Sequence, residues 1–189
     1  MDPDVPLVVA DVNPDALVLS PSTQALHACA TNCTLIPVLH PLSVLSLQHA
    51  ISKVVVRSEQ ALSGAGWKLL LDDEQKANAI GKEIQGEAEK IIEEAERILG
   101  ISDVEWDVQC TRVDERDGHL VHVQVHLEGN PSYNSIRTEL MATVHDRIWP
   151  LPSQPQHPLT LIDSEPTRER DLWNGKTLEE VSPSTDLKA

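Results

Sequence analysis

Phenylalanine is absent from this chain of 189 residues, and tyrosine occurs once. An aromatic core is excluded, so aliphatic side chains and the four tryptophans must fill the interior. Cysteine is scarce and odd in number. Three cysteines with no Cys-x-x-Cys pair exclude a disulfide framework and a cysteine-rich zinc site. That usage predicts a reducing compartment, the cytoplasm, and no metal. Basic residues are few: 15 Lys and Arg face 30 Asp and Glu, a net charge of −15. Such an excess repels nucleic acid and anionic membranes, so neither is expected as a partner. No apolar run approaches the length that crosses a bilayer, and Met1-Asp2-Pro3-Asp4 lacks the basic start of a secretory leader. Nowhere is there a Gly-x-Gly-x-x-Gly dinucleotide fingerprint.

What remains is a mixture of short β-branched runs and amphipathic stretches. Val5-Pro6-Leu7-Val8-Val9 reads as a short strand, and Asn13-Pro14-Asp15 as a turn. A helix is expected from Cys33 to about Gln48, kinked near Pro41. Residues 51–57 read as a buried strand that opens onto a small-residue loop, 58–66. Residues 83–99 carry the clearest helical stripe, closed by Gly100. Residues 104–113 alternate, and so does the return run to Leu127, with Asp114-Glu115-Arg116-Asp117-Gly118 between them as a hairpin loop. Residues 132–149 give another amphipathic helix, 150–158 a proline-rich connector and 159–162 a short edge strand. From about Ser164 the chain is polar and aperiodic, which predicts a poorly ordered tail. The pattern predicts an α/β (α+β) fold with a mixed, largely antiparallel sheet, helices on one face and the other face available to a partner subunit.

A few residues stand out as chemistry. Asn32 is a good helix N-cap, which would put Cys33 at the positive end of a helix and favour its thiolate. A free cysteine is more often a small buried hydrophobe, and spacing alone favours that reading. Glu87, Lys90 and Glu94 flank the apolar stripe of 83–99, where charges are usually a solvated rim. Arg112 falls in phase with the apolar face of its strand, where a guanidinium needs an anion. His119 has the same parity at the same end, whereas His122 and His126 are on the outer parity.

Together these pieces resemble the aspartate-semialdehyde dehydrogenase family, in its archaeal and fungal branch and its C-terminal catalytic and dimerisation domain. The resemblance is carried by Asn32-Cys33-Thr34, by Gln60-Ala61-Leu62-Ser63-Gly64-Ala65-Gly66, by Gly86-Glu87-Ala88-Glu89-Lys90 with Arg97-Ile98-Leu99-Gly100, and by Arg112-Val113 with Asp117-Gly118-His119. Val5-Pro6-Leu7-Val8, Val12-Asn13-Pro14 and Leu151-Pro152-Ser153-Gln154-Pro155 add to it. The chain departs from the pattern at Thr31, where the family usually has proline, at Glu59, usually uncharged, and at Asp114-Glu115, usually Pro-Val.

The resemblance implies a glyceraldehyde-phosphate-dehydrogenase-like C-terminal domain over residues 1–163, a polar tail over 164–189, and no N-terminal cofactor domain. It implies an NADP-dependent, phosphorylating enzyme of lysine, threonine and methionine biosynthesis, acting through a cysteine thioester. Cys33 would be the nucleophile, His119 the general acid/base, and Gln60 would orient the acyl group. Arg112 would hold the substrate carboxylate and Glu87 its amino group. Lys90 and Asn32 would hold phosphate, and Ser63 and Gly64 would lie against NADP. A homodimer or higher oligomer is implied. Two alternatives stay open: a non-enzymatic dimerisation fragment of the family, and a sister acyl-phosphate or acyl-thioester reductase.

Overall fold

The computed structural model describes residues 5–9, 12–16, 28–142 and 159–171. The expected connector 150–158, the second half of the helix 132–149 and the tail beyond Asp171 lie outside the described residues.

Strand β3 (Ile51–Gln60) is the centre of a three-stranded sheet. It pairs in parallel with β4 (Glu105–Arg112) and antiparallel with β5 (Leu120–Leu127), so the sheet is mixed. The expected β4–β5 hairpin is corrected: β3 lies between the two strands. Its β-branched run, Val54-Val55-Val56, takes the position where both edges of the backbone are hydrogen-bonded. The 113–119 loop arches over the end of β3. Val113 N–H bonds to the Gln60 carbonyl at 3.0 Å, and Leu62 N–H to the Glu115 carbonyl at 2.8 Å.

Burial alternates along β3, a second correction to the sequence reading. Val54, Val56, Ser58 and Gln60 are buried, while Lys53, Val55, Arg57 and Glu59 are only half-buried. The register aligns that inner row with Trp106, Val108, Cys110 and Arg112, and with Val125, Val123 and Val121. Helix α1 (Ile36–Leu45) and helix α4 (Glu87–Leu99) cover this face. The core joins Leu35, Val38, Leu39 and Leu42 of the α1 region to Val54 and Val56, and to Ile91, Ala95 and Ile98 of α4. The outer face carries inter-strand ion pairs, Lys53–Glu105 and Arg57–Asp107.

Several boundaries moved. Residues 83–86 are not helical: Glu83 bridges Thr111, and Ile84 N–H bonds to the Cys110 carbonyl at 2.9 Å. They satisfy the free edge of β4, and Gly86, at φ +75, makes the left-handed step into α4. β3 runs to Gln60 where a loop was expected from Ser58. Residues 62–65 form a 3-10 turn, followed by two short helices that the sequence reading left out, α2 (Trp67–Leu71) and α3 (Asp73–Ala79). β1 (Leu7–Val8) pairs in parallel with β2 (Cys29–Ala30), and Asn13 bonds to both Val9 N–H and the Leu7 carbonyl. Helix α5 (Tyr133–Ala142) is tied to the end of α1 by His49 and Glu139, 2.8 Å apart. Residues 159–162 form no strand.

The core prediction is direct. Leu39 is fully buried, and Leu39→Ala should cost about 2–5 kcal/mol in urea denaturation. Leu47 is 74% exposed, and Leu47→Ala should stay within about 0.5 kcal/mol.

Candidate active site

The nucleophile candidate sits on a turn. Asn32 Oδ1 accepts the Thr34 N–H at 2.7 Å, and the Asn32 carbonyl accepts the Leu35 N–H at 3.1 Å. α1 begins only at Ile36, with Leu35 as its N-cap, so the expectation that Asn32 caps the helix over Cys33 is corrected. Pro37, in the first turn, has no N–H to offer, and the helix starts after the turn has closed. Cys33 is exposed. Its environment comes from a side chain and not from a helix end.

That side chain is His119. Cys33 Sγ lies 3.3 Å from His119 Nε2. On the far side of the ring, the Ala61 N–H donates to Nδ1 at 3.3 Å. An N–H aimed at Nδ1 requires a lone pair there, so the neutral ring carries its proton on Nε2, facing the sulfur. Burial and the nearby Arg112 guanidinium hold the His119 pKa below its usual value, with Glu87 opposing them. The imidazole is therefore neutral at pH 7, with an N–H hydrogen-bond donor at Nε2.

Arg112 is 7% exposed, and its Nη1 donates to the Ala61 carbonyl at 2.7 Å. One residue, Ala61, thus positions both the histidine and the arginine through its backbone. Gly64 lies beneath the pair: a Cβ there would meet His119 Cε1 at 3.0 Å and Arg112 Nη1 at 3.1 Å. Glycine is needed at this point for the close approach of two side chains.

Glu87 gathers another group. Its Oε1 accepts from Asn32 Nδ2 at 2.7 Å and from Gln60 Nε2 at 2.8 Å. Glu87 is the first residue of α4, where the helix dipole favours a carboxylate. The structure therefore brings Cys33, His119, Arg112 and Gly64 into contact, and joins Asn32, Gln60 and Glu87 by hydrogen bonds. It does not bring Lys90 into direct contact with Asn32. The Lys90 ammonium is half-exposed, 3.9 Å from Glu94 Oε1. Ser63 is held through its backbone N–H to the Arg116 carbonyl at 3.0 Å.

Sequence reasoning missed one residue and misjudged the setting of another. Arg168, on the turn α6 (Arg168–Asp171) within the tail expected to be poorly ordered, donates to the Gly118 carbonyl at 2.9 Å and to Glu59 Oε2 at 3.1 Å. It fixes the residue before His119, and a cavity of about 260 Å³ lies between His119 and this turn. The unusual charge at Glu59 was the signal that a cation would be needed there. Glu94, expected on a solvated rim, is 1% exposed.

The cysteines should separate in reactivity. Burial, more than the neighbouring Glu87, pushes the Cys110 thiol up to about 11. Cys29 and Cys33 are both exposed, and among the described residues only Cys33 faces an imidazole. Brief iodoacetamide treatment near neutral pH, followed by peptide mapping, should label Cys33 first, Cys29 next and Cys110 last. His119→Ala should bring Cys33 down to the rate of Cys29.

No protein-family model matches the chain. The aspartate-semialdehyde dehydrogenase of Aspergillus fumigatus is 30% identical over 202 residues, which cover 93% of this chain and 55% of that protein. That of Archaeoglobus fulgidus is 28% identical over 199 residues, 94% of this chain and 56% of the relative. The chain spans about half the length of the curated relatives it matches. Among solved structures, aspartate semialdehyde dehydrogenase with NADP from Candida albicans has a TM-score of 0.57 at 23% identity, over 73% of this chain and 45% of that one, a likeness of fold. By sequence over more than nine-tenths of its length, and by a mixed-sheet fold, the chain is similar to the aspartate-semialdehyde dehydrogenases and fits the C-terminal domain of that family.

Proposed function

We propose that this chain is the catalytic and dimerisation domain of a cytoplasmic, NADP-dependent aspartate-semialdehyde dehydrogenase, which interconverts aspartyl phosphate and aspartate semialdehyde in amino-acid biosynthesis. The observation that carries this reading is the 3.3 Å pairing of Cys33 Sγ with His119 Nε2 beside the buried Arg112.

In the biosynthetic direction the Cys33 thiolate attacks the acyl carbon of aspartyl phosphate. The S–C bond forms, the C–O bond to phosphorus breaks, and phosphate leaves with the bonding pair. An aspartyl thioester remains on Cys33. The Arg112 fork matches the substrate α-carboxylate. Glu87 keeps its second oxygen for the α-ammonium while its first holds Asn32 and Gln60. Gln60 orients the acyl group, and Lys90 with Asn32 receives the departing phosphate. The His119 Nε2–H, which first donates to the Cys33 thiolate, then donates a hydrogen bond to the oxygen that gains charge at the same carbon.

NADP, when bound, supplies hydride exchange at that carbon. The residues here fit contact with its reactive end only. Gly64 offers no side chain beside His119, Ser63 precedes it, and the loop has no glycine-rich phosphate cradle. A second copy of the chain would cover the outer sheet face, which carries no helix among the described residues.

The thioester step needs no cofactor, so it can be tested on the chain itself. Incubation with aspartyl phosphate should add one aspartyl group to Cys33, releasable by hydroxylamine and absent from Cys33→Ser, by mass spectrometry. Arg112→Lys should weaken substrate binding by on the order of 1.5–3 kcal/mol without loss of fold. Lack of any adduct would return the chain to a non-enzymatic fragment of the family.

Two whole-chain outcomes follow from the same reading. Hydride transfer needs the nicotinamide held within about 3–3.5 Å of the reacting carbon, and Ser63 and Gly64 alone do not hold it. The 189-residue chain should therefore produce no appreciable NADPH from aspartate semialdehyde and phosphate. Light scattering on the same sample should give the mass of a dimer. Robust turnover, or a strictly monomeric chain, would contradict the respective part of the reading.

A further inference from the structure

Glu94 is a carboxylate in the interior of the molecule, 1% exposed on the inner side of α4. A buried charge costs several kcal/mol unless it is met by partners, and an apolar side chain of similar size would pack there without that penalty. What Glu94 meets is specific. Its Oε2 accepts from Thr31 Oγ1 at 2.5 Å and from the Asn32 backbone N–H at 2.8 Å. Both donors belong to the two residues directly before Cys33. Its Oε1 is buried without a hydrogen bond, with the Lys90 ammonium 3.9 Å away. Two turns earlier on the same helix, Glu87 holds the Asn32 side chain.

We propose that Glu94 is the positioning residue of the Cys33 turn: its carboxylate fixes Thr31 and the Asn32 backbone so that Sγ stays within reach of His119 Nε2. The inference rests on the reading of Cys33 as nucleophile and deepens it. α4 grips the turn at two points, one through a side-chain amide and one through the main chain. A turn held only by Glu87 can rotate about Asn32, and Sγ then swings away from the imidazole. Loss of alignment by about 1 Å is enough to cost large factors in rate. The carboxylate acts by accepting hydrogen bonds at Oε2, so a neutral amide of the same shape should serve: its oxygen, in the place of Oε2, accepts both the Thr31 hydroxyl and the Asn32 N–H, and its NH2 takes the place of Oε1, which has no hydrogen bond.

The test is the ratio of Cys33 to Cys29 labelling by iodoacetamide at neutral pH, with Cys29 as the control within each molecule. Glu94→Met removes the acceptor of both hydrogen bonds and should lower the ratio by on the order of tenfold or more. Thr31→Val, which leaves α4 untouched, should lower it in the same direction. Glu94→Gln should stay close to the unsubstituted chain. The decisive readout is non-additivity: in Glu94→Met, the further change His119→Ala should have little effect, because Sγ no longer meets the ring. A merely structural role would leave the His119→Ala decrement intact. Circular dichroism and the urea midpoint follow folding, and if Glu94→Met does not fold, Thr31→Val alone and combined with His119→Ala carry the same comparison. Preferential Cys33 labelling that survives both Glu94→Met and Thr31→Val overturns the inference while sparing the nucleophile reading. So does a full His119→Ala decrement in their background, or a Glu94→Gln as slow as Glu94→Met. Absence of preferential labelling in the unsubstituted chain overturns both.

Discussion

The parallel pairing of β3 with β4 is the constraint from which the site follows. Parallel neighbours cannot be joined by a tight turn, so the chain must cross over one face of the sheet. The crossover runs from Ala61 to Val104 and contains α4, which lands on the inner face. Because the two strands run the same way, their last residues, Gln60 and Arg112, sit side by side in register. β5 runs the other way, so its beginning lies at that same end and delivers His119. Three residues from three separate segments meet at one edge of the sheet, and the start of α4 brings Glu87 to them.

Charge is arranged around this edge in a definite order. The carboxyl groups of Glu87 and Glu94 both reach back to the turn that carries Cys33. Arg112 is cationic and tethered to the Ala61 carbonyl, and the neutral His119 stands between it and the sulfur. Most of the tethers are backbone groups: Ala61 N–H, the Ala61 carbonyl, Asn32 N–H and the Gly118 carbonyl. Backbone groups fixed by a sheet edge do not reorganise when a substrate arrives, which is what a preorganised site requires.

Two of the departures from the family pattern acquire physical partners. Thr31, at a place where a proline would restrain the turn covalently, uses its hydroxyl to reach Glu94. Glu59 is met by Arg168, which also holds the residue before His119. In both cases a polar residue is accommodated by a second polar residue far away in the chain, and both pairs act on the flanks of the same two side chains, Cys33 and His119.

Periodicity determined a good deal by itself. The alternation of 104–113 and 120–127 assigned Arg112 and His119 to the inner face, and the stripe of 83–99 located α4, because side-chain direction along a regular element is a local property. Short motifs pointed to Cys33, Gln60 and Glu87 in the same way. Strand order was not local. Whether β4 pairs with β5 or β3 inserts between them depends on which edges must be satisfied and which face α4 covers, and only the folded chain decides that. The helix start after Cys33 was likewise misplaced, since Asn32 can cap a turn or a helix and Pro37 tips the balance toward the turn. Glu94 read as a rim charge and Arg168 as part of an aperiodic tail, because nothing in their own neighbourhoods marks the partners they meet. Their partners, Thr31 and Glu59, lie 63 and 109 residues away, and a hydrogen bond across such a distance exists only once the tertiary structure has brought its two ends together.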